Sequence, residues 1–261
     1  MGAQTSPLDQ YPRILSPLKI RALDFKNRLF FPSFGIDMAN PDGSFSDDLR
    51  GFYEGMAESG CGFLLLGNSS VSPQSILQLQ GLRMHDAHHA RAISPFIEYA
   101  RQLGVIAGVQ LQHYGAQATT QHITSGELLS PSGLGSSVFK KMDPRYAVRE
   151  MSRDDIAQVK GQFAHAASLA HAAGARLIQL QASNGYLLSS FMSRHSNRRC
   201  DEYGGTLFNR ARFLIETVQG VSPDGHPKLL HCWPVKLLQA GRGDYAGSGV
   251  MASRAAASLS R

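Results

Sequence analysis

Four short apolar runs, separated by amphipathic helical stretches, restrict this chain to folds assembled from parallel βα units. The runs are NRLFFP (residues 27–32), CGFLLLG (61–67), VIAGVQLQ (105–112) and RLIQLQA (176–182). The first is apolar on both faces, as expected of a strand in a sheet enclosed by helices. After it, Leu49, Phe52, Tyr53 and Met56 fall at i, i+3, i+4 and i+7, with Ser46 placed to cap a helix and Gly60 to end it. Ser94 and Pro95 form an N-cap and first-turn pair for the next helix, which Gly104 stops. Ser152 and Asp155 open a third with a capping box, and Gly174 closes it. Residues 205–218 (GTLFNRARFLIETV) supply the helix after the fourth strand. Such alternation builds either a barrel or a doubly wound sheet.

Two segments break the pattern. Residues 114–150, with several Gly, Ser and Pro, are long enough for a functional loop or lid holding a small hairpin. Residues 222–261 show no strand–helix alternation and end in a stretch rich in Gly, Ala, Ser and Arg, which reads as an irregular, disordered tail following a barrel-like part over residues 1–221. The basic residues behind the net charge of +6 are scattered and match no nucleic-acid motif, so no nucleic-acid partner is expected. No run approaches the roughly 20 apolar residues of a membrane span. Gly2 and Ser6 fit a loose myristoylation pattern, but a single acyl chain gives only marginal, reversible binding, so no stable membrane insertion is expected. A soluble cytoplasmic protein is the default. Cys61, Cys200 and Cys232 are far apart and odd in number, which suggests neither a disulfide framework nor a C-x-x-C metal site. His85, His88 and His89, in a polar loop, are not read as metal ligands, and no metal is expected.

Residues 184–213, NGYLLSSFMSRHSNRRCDEYGGTLFNRARF, closely resemble the signature of Old Yellow Enzyme-type NADH:flavin oxidoreductases, H-G-Y-L-x-x-Q-F-L-S-P followed by N-x-R-x-D-x-Y-G-G-S-x-x-N-R-x-R-F. NRLFFPSFG from Asn27 is similar to that family's first strand, and GVQLQHYG from Gly108 to its third. The resemblance implies a TIM-type (β/α)8 barrel with FMN at the C-terminal ends of the strands, and NADH or NADPH as hydride donor. The implied substrate is a small enone-like molecule, an α,β-unsaturated carbonyl compound whose activated C=C bond is reduced.

The same resemblance assigns roles residue by residue. Tyr186 falls at the proton-donating tyrosine, and a phenol with pKa near ~10 can donate while un-ionised at neutral pH. Gln181 and Asn184 occupy the pair that grips the substrate carbonyl, although Gln181 is an amide where an imidazole is usual. Gln110 corresponds to the glutamine on the flavin's pyrimidine edge, and Ser33, Phe34 and Asn68 approach the flavin from the first two strands. Gly35 stands where a Thr or Cys normally contacts the flavin oxygen, and Gly67 where a Glu is frequent. Asn197, Arg199, Asp201 and Tyr203 belong to a block read as architectural.

Only about four βα units are visible, so an incomplete barrel is expected, its open edges covered by a homodimer. Two other readings stay open: a truncated flavin-free relative without redox activity, and a repurposed barrel that binds or isomerises an enone-like metabolite.

Overall fold

The computed structural model describes residues 10–20, 22–122, 126–221 and 229–232. A helical turn, α1 (Pro12–Leu15), leads into an antiparallel pair, β1 (Leu18–Ile20) and β2 (Leu23–Phe25). Then come β3 (Phe30–Phe31), α2 (Asp47–Glu58), β4 (Phe63–Ser70), α3 (Ala87–Gln102) and β5 (Ile106–Gln112). A longer excursion carries β6 (Leu128–Ser130), α4 (Ser137–Met142) and β7 (Val148–Glu150) before α5 (Arg153–Ala172) and β8 (Leu177–Leu180). The chain continues through α6 (Leu187–Met192) and α7 (Leu207–Val221) to β9 (Leu229–Cys232).

In the main sheet every strand lies beside its predecessor: the order is β3-β4-β5-β8-β9, and all pairings are parallel. A doubly wound sheet reverses its order at a switch point. The described strands never do, which is the winding of a (β/α)8 barrel.

The two faces of these strands are chemically distinct. Leu64 and Leu66 of β4, Val109 and Leu111 of β5, and Ile178 and Leu180 of β8 join helix residues such as Ile93, Phe96, Phe163 and Phe213 in one buried cluster. Each large side chain there contributes roughly 1.5–3 kcal/mol by leaving water. On the other face Leu65 and Leu177 pack with Leu23 and Phe25, so the β1–β2 pair closes the N-terminal end of the strands. Towards the C-terminal ends that inner face turns polar, with Gln110 beside Gln179. Gly108 lets β5 approach β8, because a Cβ there would lie 2.6 Å from the Leu177 carbonyl oxygen.

The caps are where the spacing placed them: Ser46 Oγ accepts from Leu49 N, Gly60 (φ +89°) follows α2, and both halves of the Ser152–Asp155 capping box are made. Other expectations need correction. The first strand shrinks to two partly exposed residues, because Asn27 turns the backbone by accepting from Leu29 N and donating to Gly60 O. Helix α3 begins at Ala87, well before Ser94 and Pro95. Asp86 caps it by accepting from His88 N, and Pro95 sits on an exposed position within the helix. His88 and His89 therefore lie in a helix. Strands β6 and β7 pair in parallel and form no hairpin, since α4 carries the chain back between them. The expected irregular tail lies outside the described residues, apart from 229–232. Those residues form a fifth barrel strand, with Leu177 opposite Leu229 and Leu180 opposite Cys232. Among the described residues no helix is long and apolar enough to cross a membrane.

Tyr53 ties α2 to β4. Its phenol, fully buried, accepts from Gly67 N at 3.1 Å and donates to Gly67 O at 3.3 Å. Burial pushes its pKa up to about 12. Tyr53→Phe strands two buried backbone groups and is expected to cost about 1–3 kcal/mol, read as a lower urea midpoint. An unchanged midpoint would show that Gly67 finds other partners.

Candidate active site

The C-terminal end of β4 is bulged. Its register with β5 runs from Leu66 opposite Val109 to Ser69 opposite Leu111, so that Gly67 and Asn68 together face Gln110. Gly67 has φ +147°, which favours glycine, and a Cβ on it would stand 2.9 Å from Ser33 Oγ. The bulge seats Ser33 against Gln110: Ser33 Oγ donates to Gln110 Oε1 at 3.0 Å, and Gln110 Nε2 donates to Gln179 Oε1 at 2.6 Å. One N–H and one lone pair of the Gln110 amide remain uncommitted by these bonds. Asn68 Oδ1 is buried without a partner. Phe34 is exposed, its ring 5.3 Å from that of Phe31.

A second group follows β8. The turn Ser183-Asn184-Gly185-Tyr186 is closed by Tyr186 N donating to Ser183 O at 3.2 Å. Asn184 (φ +60°) and Gly185 (φ +73°) are both left-handed, the conformation of a type I′ turn, in which Asn-Gly is the favoured pair. Gln117 Nε2 fastens the turn by donating to Asn184 O at 2.9 Å. Tyr186, half-buried, meets Tyr114 edge to face with 5.0 Å between ring centroids. Burial raises both phenols above the usual tyrosine range, Tyr114 further through the proximity of Tyr186 and Asp37. Gln181 is buried, and its Oε1 accepts from Ser183 Oγ at 2.7 Å, which leaves the amide N–H groups to donate elsewhere. The Asn184 side chain stands exposed at the tip of the turn.

The expected residues thus assemble as two groups, Ser33, Asn68 and Gln110 in one and Gln181, Asn184 and Tyr186 in the other. The Gln110–Gln179 bond joins β5 to β8, the strand that leads into the second group. Gln181 and Asn184 share no hydrogen bond among the described residues. One residue escaped the sequence reading. Gln112 is fully buried, and both atoms of its amide lack a partner. The signal was present, since Gln112 lies two residues beyond Gln110 and successive odd and even positions of a strand face opposite ways. His113 is buried as well: its Nδ1 accepts from Gly115 N at 3.1 Å, so the neutral ring carries its proton on Nε2, and burial pushes its pKa down to about 3.

The loop beyond α6 is braced by Arg199, which donates to Pro131 O at 2.8 Å, Met151 O at 2.6 Å and the Asp201 carboxylate at 2.6 Å. Asn197 Nδ2 donates to Phe191 O and Tyr203 O. Among the described residues no group of three His, Cys, Asp or Glu is arranged to hold a metal ion. A planar amide-bearing ring suits the first group. Gln110 retains a donor and an acceptor, and Asn68 Oδ1 calls for an N–H.

A family model described as the NADH:flavin oxidoreductase / NADH oxidase family matches residues 13–226. The chain is 32% identical to an NADH oxidase of Thermoanaerobacter brockii over 216 residues, 82% of this chain and 32% of that protein. It is 28% identical to an NADPH dehydrogenase of Clostridium acetobutylicum, over 91% of this chain and 67% of that protein. The crystal structure of Old Yellow Enzyme from Pichia sp. AKU4542 superposes with a TM-score of 0.80 and 27% identity, covering 84% of this chain and 58% of that one. The matched part of the chain therefore spans from about a third to about two thirds of the length of these relatives.

A buried and a half-buried imidazole make stability depend on pH. His113 is held down to about 3 and His85, by burial and then His89, to about 4, below the ~6.5 of a free imidazole. Between those values the unfolded chain binds more protons than the folded one, so stability is full above about pH 6.5 and falls as pH drops towards 4. Carboxylates of lowered pKa, such as Asp155, act below about pH 4, so the upper part of this window belongs to histidine. Urea midpoints are expected to fall from pH 7 to pH 4.5, and less steeply in His113→Asn. An equal slope in that variant would remove His113 from the account.

Proposed function

Because the chain belongs to the NADH:flavin oxidoreductase / NADH oxidase family, we propose that it is an FMN-dependent ene reductase, which uses NADH or NADPH to reduce the activated C=C bond of an α,β-unsaturated carbonyl compound. The observation that carries this reading is the pairing of Ser33, Asn68 and Gln110 beside Gly67 with a protonated Tyr186 presented after the next strand. When bound, the flavin supplies the hydride chemistry.

The chain's own residues do the rest. Gln110, held by Ser33 and Gln179, orients an amide towards the ring edge. Gln181 and Asn184 offer N–H groups to the substrate carbonyl oxygen as charge builds on it. The orientation of Gln181 is set by Ser183, which occupies its Oε1. Tyr186 donates its phenolic proton to the α-carbon, and its burial keeps that proton on the oxygen throughout the neutral range.

The test is the visible spectrum of the purified protein with added FMN, followed by NADPH oxidation with a simple cyclic enone. Flavin bands and enone-dependent turnover are expected, and Tyr186→Phe should lower turnover roughly 10²- to 10⁴-fold while leaving reduction of the flavin by NADPH unchanged. A protein that stays colourless at saturating FMN would sink the proposal. A colourless protein that still binds the enone would favour the flavin-free barrel.

A further inference from the structure

Gly35 is a glycine for reasons of space. Its φ is not in the left-handed region, so the backbone would accept a side chain. The space beside its Cα is already taken. A Cβ there would lie 2.8 Å from Gln78 Oε1, 3.0 Å from Gln78 Nε2 and 3.2 Å from Asn68 Oδ1. Two amides, one from the β4 bulge and one from the loop after β4, converge on the spot that a side chain at position 35 would fill.

Gln78 is held there. Its Nε2 donates to Gly35 O at 2.7 Å, across 43 residues of sequence. The flanking backbone is clamped to the same loop, with Gln80 N donating to Asp37 Oδ1 at 2.6 Å and Ala39 N to Gln80 O at 2.8 Å. The turn closes on itself through Gly81 N and Gln78 O, and Arg83 reaches Pro41 O and Leu79 O. Locked in this way, Gln78 Oε1 has no hydrogen-bond donor among the described residues, and Asn68 Oδ1 is buried without one. Gln78 Nε2 keeps a second N–H beyond the one it gives to Gly35 O. Gly35 is exposed and Gln78 only partly buried, so a ligand can reach the Gln78 amide.

We infer that the Gln78 amide replaces a side chain at position 35 as a polar contact to the bound cofactor, its second Nε2 N–H donating to a ring oxygen of the flavin. This rests on the reading that the site holds FMN. It identifies Gln78 as a cofactor-binding residue contributed by a loop that no strand motif marks.

The experiment is a double-mutant cycle on the purified chain, with FMN as the probe and quenching of its fluorescence as the readout of affinity. Unfolding midpoints confirm that each variant is folded. Gln78→Ala is expected to weaken FMN binding about three- to tenfold, the worth of one hydrogen bond. Gly35→Ser should also weaken it, since its Cβ meets Gln78. In the Gln78→Ala background the same serine should restore affinity, because its hydroxyl enters the vacated notch. If Gln78→Ala binds FMN within twofold of the parent and the two substitutions are additive, Gln78 is only a loop brace and the inference falls. If the parent binds no FMN, the flavin reading falls and this inference with it.

Discussion

The register of β5 between β4 and β8 determines where everything else in this molecule can be. β5 pairs in parallel with both neighbours, and its backbone also positions the residues just beyond those two strands, because Leu111 O accepts from Gln181 N and Gln112 O from Val71 N. Alternation along a strand then sorts its side chains without further instruction. Ala107, Val109 and Leu111 go to the helices, and Ile106, Gly108, Gln110 and Gln112 to the inner face. From the N-terminal end, that inner series passes from isoleucine through glycine to two amides. Packing at one end and chemistry at the other are thus one property of a seven-residue strand. A slip of one residue would bury the glutamines among leucines.

The bulge and the turn that carry much of the candidate site are each fastened by side chains from elsewhere in the fold. Tyr53 satisfies both backbone groups of Gly67 from behind, and the Asn-Gly turn before Tyr186 is fastened through Gln117. The Arg199 guanidinium, with 5% of its side chain exposed, ties the region after β6, the start of α5 and its own loop to one planar group. Rigid support of this kind matters because a donor misplaced by an ångström loses much of its effect on a transition state. The unpaired Asn68 Oδ1 and the unpaired amide of Gln112 are exceptions to a rule that folded chains otherwise keep closely. Both sit at strand ends on the side of the barrel that carries the site.

Much of this was legible in the sequence, and the failures share a cause. The central strands and the caps Ser46, Ser152 and Gly174 were readable because they are local: an apolar run, a side chain one turn from the amide it caps, a glycine in a left-handed turn. Family likeness located Gln110, Asn184 and Tyr186 within ordered motifs. The features that escaped depend on partners distant in sequence. The Ser94–Pro95 pair looked like a start only because the cap at Asp86 is followed by polar histidines, one of which, His89, is buried against the Asp42 carbonyl. β9 is four residues long, and its pairing with β8 gives it a place that its own pattern does not announce. Gln112 was passed over because no motif names it, although the period of two did.

The β1–β2 pair has a bearing on how the chain is made. Leu23 and Phe25 leave the ribosome well before part of the surface that receives them, which includes Leu177, and Arg176 donates to Ala22 O across 154 residues. At roughly 5–20 residues per second the wait lasts on the order of 8–30 s. Through that interval two large apolar side chains remain in water, where they are available to chaperones or to other nascent chains. The exposed Lys19–Asp24 ion pair keeps the other side of the ladder hydrophilic meanwhile. A segment made well before one of the strands it packs on finds its place only after that strand, and its docking reports that the strands around it have been laid down in order.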